Sequence, residues 1–183
     1  MKTLIVLLST IKVISCNSQS EKSDDSVLRT ERERILNEFN SESKIRSADS
    51  DTLLDLNYDG NNDYIINYYG QSGSGIKNKV RIYIYDKKKG EFVLDERLSD
   101  LSNPSFYLDK KMITEFYIGN GGGSGSKLEW IKEKWQVTKT FDVEHAEKTI
   151  WKTTNLLSGK IEYFELPFQL IPPAEILETN IQE

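Results

Sequence analysis

The most specific chemistry in the chain lies in nine residues, Asp55-Leu56-Asn57-Tyr58-Asp59-Gly60-Asn61-Asn62-Asp63. Oxygen-bearing side chains stand at the first, third, fifth and ninth positions, glycine is sixth where the chain must turn sharply, and the seventh residue, Asn61, offers its carbonyl. Such alternation aims Asp55, Asn57, Asp59 and Asp63 at one centre. Calcium suits this donor set, since it accepts many oxygen ligands at flexible geometry; magnesium demands a tighter octahedron and zinc prefers nitrogen and sulfur. The twelfth position is Ile66 rather than a bidentate glutamate, and an apolar strand-like run follows instead of a helix, so the loop is not an EF-hand. Asp, Asn and Gly are also the residues of an ordinary Asx-rich turn. Calcium, where bound, would be structural, fixing a loop whose three carboxylates otherwise repel one another.

A second segment, Gly119-Asn120-Gly121-Gly122-Gly123-Ser124-Gly125-Ser126, invites a phosphate-binding reading and fails it. A P-loop needs Gly directly before Lys and Ser or Thr after it, whereas Ser126 precedes Lys127 and Leu128 follows. GxGxxG is absent too, because Ser124 and Ser126 stand where a third glycine would be needed. Nucleotide is therefore not an expected ligand. Glycine permits positive φ and close backbone approach, so the segment is read as a flexible connection or as a loop that contacts a partner. Gln71-Ser72-Gly73-Ser74-Gly75 is a shorter stretch of the same kind.

Enzyme chemistry has little to build on. His145 is the only histidine, in a charged segment, so no His-centred metal site forms and a Ser-His-Asp triad has one candidate base. No acid pair stands out from a solvated surface. Trp130, Trp135 and Trp151 sit at hairpin positions, where core and cross-strand packing competes with a glycan-stacking platform.

The elements that would position these residues are mostly strands. Residues 79–85 alternate, with Val80, Ile82 and Ile84 on one face and Arg81, Tyr83 and Tyr85 on the other. A turn at residues 86–90 returns the chain through 91–95, and 112–118, 128–131, 135–140, 149–153 and 160–165 continue the series. Residues 132–134 and 157–159 are short enough to close hairpins. The expected fold is all-β and antiparallel, a sandwich or a small propeller-like array of hairpins, with short helical turns at the ends. A short helix within residues 30–39 competes with a strand at 34–39, and residues 174–179 suit a last helical turn after Pro172 and Pro173.

The N-terminus carries an address. Lys2 is followed by an apolar stretch, and Val13-Ile14-Ser15-Cys16 closes it with the only cysteine of the chain. This run is far short of the roughly 20 residues needed to span a bilayer and looks like a lipobox, the bacterial lipoprotein signal, with Cys16 as the lipidated first residue. Residues 1–15 then form the signal peptide, 16–29 a polar tether and 30–183 a single β-domain, held to the cell envelope by lipid at the outer membrane, on its periplasmic face or the cell surface. Removal of residues 1–15 takes two of the 24 basic residues and none of the 29 acids, leaving a net charge near −7. That balance disfavours nucleic acid. No disulfide is available to brace the fold.

The stretch DLNYDGNNDYIINYYG, with the strand KVRIYIYDKKKGEFV after it, resembles a family of secreted bacterial β-domains whose loop is related to the calcium loops of FG-GAP-type propeller repeats. The order of features over residues 52–140 also resembles immunity lipoproteins of the lysozyme-inhibitor type. That likeness implies a non-enzymatic envelope protein that binds a peptidoglycan-degrading, lysozyme-like enzyme, and so can inhibit it, through a protruding loop, for which residues 119–126 are the candidate. The segment lacks the tyrosine usual in such inhibitors. The reading from another class is a glycan-binding or surface-assembly lipoprotein.

Overall fold

Alternation at residues 79–85 builds the centre of the first of two sheets. The computed structural model describes residues 19–42, 47–70, 75 and 77–178; residues 1–15, read as a signal peptide, Cys16 and Ser72 lie outside them. Strands β1 (Ser50–Leu54), β2 (Asp63–Tyr69), β3 (Asn78–Asp86) and β4 (Glu91–Leu94) form an antiparallel sheet in chain order. Opposed residues share a face, so Ile65 joins Ile82 on one side while Tyr64 joins Tyr83 on the other.

Both faces are covered. The tyrosine face, with Ile66 and Phe92, packs on α1 (Gln19–Glu42), whose Ile35 and Phe39 lie one helical turn apart. This helix is longer than the short one expected within 30–39: residues 19–29, read as tether, belong to it, and no strand forms at 34–39. Ion pairs Arg29–Glu33 and Arg34–Glu38 join residues one turn apart, and Arg32 reaches across to Asp51 at 2.8 Å. A charged helix with one narrow apolar stripe leaves little signal in composition, because the sheet supplies its stability.

The second sheet runs in the order β10-β9-β8-β7-β6-β5, antiparallel throughout. Its strands are β5 (Ser105–Tyr107), β6 (Met112–Gly119), β7 (Gly122–Ile131), β8 (Lys134–His145), β9 (Thr149–Asn155) and β10 (Ile161–Glu165). Ile113, Leu128 and Trp135 of this sheet meet Ile65, Val80 and Ile82 of the first in one buried cluster, closed at its margin by Leu98 of α2 (Glu96–Ser99) and by Leu101. The chain is therefore all-β in its main body, two antiparallel sheets packed as a sandwich. Lys132 and Glu133, both at positive φ, make the two-residue turn between β7 and β8.

Ile118 lies five residues beyond Ile113 in β6 and so faces the opposite side of the sheet. There it joins Phe141, Val143 and Trp151 beneath a C-terminal strap of Leu166, Phe168 and Leu170 and the helix α3 (Ala174–Glu178), whose Ile176 is fully buried. Burying side chains of this size contributes on the order of 1.5–3 kcal/mol each. The second sheet is thus covered on one face at each end, and on opposite faces.

Candidate functional site

The acidic loop connects β1 to β2, and its alternation has two uses. Leu56 and Tyr58 point into the sandwich: Leu56 is fully buried, and Tyr58 packs against Trp130 and Trp135 at ring-centroid distances of 5.3 and 6.2 Å. Trp135 donates its indole N–H to the Leu56 carbonyl at 2.9 Å, and the Tyr58 hydroxyl donates to the Leu108 carbonyl at 3.0 Å. Tyr58 does this at φ 57, a left-handed conformation uncommon for an aromatic residue. The loop therefore pins the first sheet to the second.

The polar residues between these anchors bind the loop's own backbone. Asp55 accepts the amides of Asp59 and Gly60 at 3.1 and 3.0 Å, Asn57 Oδ1 accepts that of Asp59 at 3.1 Å, and Asp59 accepts both the amide and the side-chain amide of Asn61 at 2.8 Å. Asp63 is fully buried, with one oxygen accepting the amide of Leu56 at 2.8 Å and the other that of Tyr85 at 2.9 Å. Burial pushes its carboxyl up to about 6; the two amide hydrogen bonds oppose the rise, while the charges of Asp59 and Asp55 add to it. Burial would raise Asp59 as well, but hydrogen bonds from Asn61 and Asn57 outweigh it and hold that carboxyl below its usual range.

The donors are hard oxygens, of the chemistry calcium takes. As arranged here, however, Asn57 and Asn61 turn their amide nitrogens to Asp59, and among the described residues no three His, Cys, Asp or Glu side chains gather closely enough to hold a metal. The hydrogen bonds are those of a self-satisfied Asx turn.

Residues 119–126 are neither a flexible connection nor a protruding loop. Gly119 ends β6, Asn120 and Gly121 make a two-residue turn, and Gly122 begins β7, which is paired on both sides with β6 and β8. A Cβ on Gly123 would lie 2.1 Å from the Tyr117 carbonyl, and one on Gly125 would lie 2.3 Å from both the Glu115 carbonyl and the Phe141 ring. These glycines make room for close neighbours. Gly75, the described residue of the shorter glycine stretch, abuts the same strand end, its backbone lying against Ile118.

The register across these strands assembles a face that motif reading missed. Tyr117, Ser124, Asp142, Lys152 and Tyr163 oppose one another in one cross-strand row, and Glu115, Ser126, Thr140, Thr154 and Ile161 in the next. Glu144 and Glu165 flank them on a third. This is the side away from the C-terminal strap: Tyr163 is 68% exposed, Ile161 50% and Tyr117 39%. Its middle is floored by small residues, with a tyrosine towards either side. Four acids on these rows face Lys152, although Lys148 pairs with Glu165 at 3.0 Å and Ser126 donates to Glu115. The legible signal was the alternation Phe141-Asp142-Val143-Glu144, hidden because so charged a segment reads as loop.

The remaining candidates pack rather than react. Trp151 and Trp135 are buried, and Trp130 packs on Trp135 at a ring-centroid distance of 5.4 Å. His145 bonds Thr149 Oγ1 at 2.7 Å and stacks on Phe168. A groove of about 850 Å³ beside the acidic loop has Asp59, Asp86 and Asp95 on its walls, together with three lysines of the β3–β4 turn. Among them Asp59 is held below its usual range, which suits a fixed charge and not a proton donor. Among the described residues no helix is long and apolar enough to cross a membrane.

No family model matches the chain, and no curated protein sequence matches it. A solved structure from Xanthomonas, of a type IV secretion system related protein, is similar in part. The likeness covers 69% of this chain and 62% of that one, with a TM-score of 0.48 and 18% sequence identity. The chain thus spans less than two thirds of that structure.

Proposed function

We propose that this is a lipid-anchored protein of the bacterial cell envelope that catalyses no reaction and acts by binding and inhibiting a peptidoglycan-degrading enzyme. The observation that carries the choice between binding classes is the position of the tryptophans. With Trp135 and Trp151 in the core and Trp130 packed on Trp135, the rings that a sugar would stack on are used to hold strands together, which disfavours the glycan-binding alternative. The resemblance to inhibitor-type immunity lipoproteins points the same way. An acidic chain also suits a cationic hydrolase, since complementary charge speeds encounter. Cys16 supplies the lipid attachment in this reading.

Calcium belongs to the proposal as a staple. Asp55, Asn57, Asp59 and Asp63, with the Asn61 carbonyl, would hold it once the loop rearranges and Asp55 and Asp59 release the amides they accept in the Asx turn, and the dication would then offset the repulsion of three carboxylates drawn together. Because Leu56 and Tyr58 of the same loop lock the two sheets, the ion would act on the whole sandwich. The test is lysis of cell walls by a panel of lysozyme-type enzymes with the full chain in excess, in calcium and in chelator. Stoichiometric inhibition is expected, weaker in chelator. Undiminished lysis across the panel would overturn the inhibitor reading, and inhibition indifferent to chelator would remove the ion from it.

A further inference from the structure

We infer that the hydrolase docks on the open face of the second sheet, over the row Tyr117, Ser124, Asp142, Lys152 and Tyr163 with Glu144 beside it, and not on the tip of a projecting loop. This rests on the inhibitor reading above and assigns its contact surface.

Three observations carry it. The glycine segment, the candidate for an inserting loop, is paired into the sheet on both sides, so only Asn120 and Gly121 stand beyond it. On the side of that sheet facing away from the C-terminal strap, the first sheet covers Ile113, Leu128 and Trp135, but no described residue covers the rows beyond it, where Tyr163 and Ile161 are more exposed than large side chains usually are. Tyrosine is among the residues that dominate binding energy at interfaces, and here two of them stand on either side of a floor of Ser124, Ser126 and Thr140. The third observation is charge: acids outnumber lysine on these rows, in a chain of net charge −5, which selects a basic protein surface as occupant.

Five strands about 4.8 Å apart make the floor about 19 Å wide. That matches the centre of a standard protein interface of about 800 Å² per partner, with the rim supplied by Leu156 and Leu157 of the adjoining turn.

The test measures binding of the full chain, carrying Cys16→Ser to remove the lipid, to a strongly basic c-type lysozyme, to g-type and i-type lysozymes, and to succinylated c-type lysozyme as an acidic control. Tyr163→Ala should weaken binding about tenfold. Asp142→Lys should weaken it by about tenfold or more, while Lys152→Glu should tighten it by about threefold, because both changes alter charge without touching the core. The succinylated enzyme should not bind. Far-ultraviolet circular dichroism and thermal melting keep loss of fold apart from loss of contact. Unchanged affinity in all three variants, with the parent chain still binding, would overturn the docking face and leave the inhibitor reading standing. Failure of the parent chain to bind any of the native enzymes would overturn that reading, and the face with it.

Discussion

Gly60 and Gly125 show two different demands on the same residue. Gly60 sits at φ +83 in the acidic loop with nothing within 4 Å of where a Cβ would be, so conformation alone requires it. Gly125 has no positive φ and is walled in, by the Glu115 carbonyl on one side and the Phe141 ring on the other. The first loop tolerates bulk and resists a change of backbone. The strand tolerates the backbone of any residue and resists bulk. A glycine-rich run is thus no sign of mobility by itself: β7 is the interior of a six-stranded sheet, and its glycines let β6 and the Phe141 ring come close.

The contrast is broken most easily at Gly125. A methyl group there meets a carbonyl and the buried Phe141 ring, which also packs on Trp151, so Gly125→Ala should cost about 3 kcal/mol, the upper end of overpacking penalties. Chemical denaturation at neutral pH measures it. The double change Gly125→Ala with Phe141→Leu should recover part of the loss, and no recovery would mean that the carbonyl is the obstacle.

Asp63 gives the next largest effect, and it separates the loop's electrostatics from its shape. Its folded pKa is raised from 3.8 to about 6. The stability it contributes is therefore complete below about pH 4 and is lost as pH rises through 6, a change of about 2 kcal/mol between those limits. Asp63→Asn should abolish that slope relative to the parent chain, whatever its absolute stability. Millimolar calcium sharpens the test: an ion on Asp55, Asp59 and Asp63 would pull the carboxyl down and flatten or reverse the slope in the parent chain, with no such response in the variant. A slope indifferent to calcium would leave the Asx turn as the whole account of the motif.

How much of this was legible in the sequence follows from what each signal depends on. Strand alternation at 79–85 is local and was read to within a residue at either end. Of the two readings of the acidic loop, the Asx-rich turn is the one its hydrogen bonds match, since that chemistry lies within nine residues. The role of Leu56 and Tyr58 was not legible, because it depends on Trp135 in another sheet. Residues 122–127 and 141–145 were missed as strand for one physical reason: glycine and charge have low intrinsic preference for strands, and cross-strand partners decide the outcome. The same holds for α1, whose apolar stripe acquires meaning only against Tyr64, Ile66 and Phe92. The open face of Tyr117 and Tyr163 was invisible until five strands were in register, since no two of its neighbours across the sheet are close in sequence except at the hairpins.

Gly60→Ala comes next, at about 1 kcal/mol, the cost of putting an L-residue at positive φ in open space. Asn in its place should cost less, because asparagine visits the left-handed region more readily. The smallest effect is expected at Gly121. It lies in the turn between β6 and β7, without a positive φ and with nothing within 4 Å, so neither demand made of Gly60 or Gly125 applies. Gly121→Ala should change stability by less than about 0.5 kcal/mol, as at other unconstrained surface positions. Because the turn stands at the end of the proposed docking floor and not on it, the same substitution should leave lysozyme affinity unchanged. A strong loss of binding at Gly121 with stability intact would restore the hairpin tip as the contact and take the contact away from the sheet face.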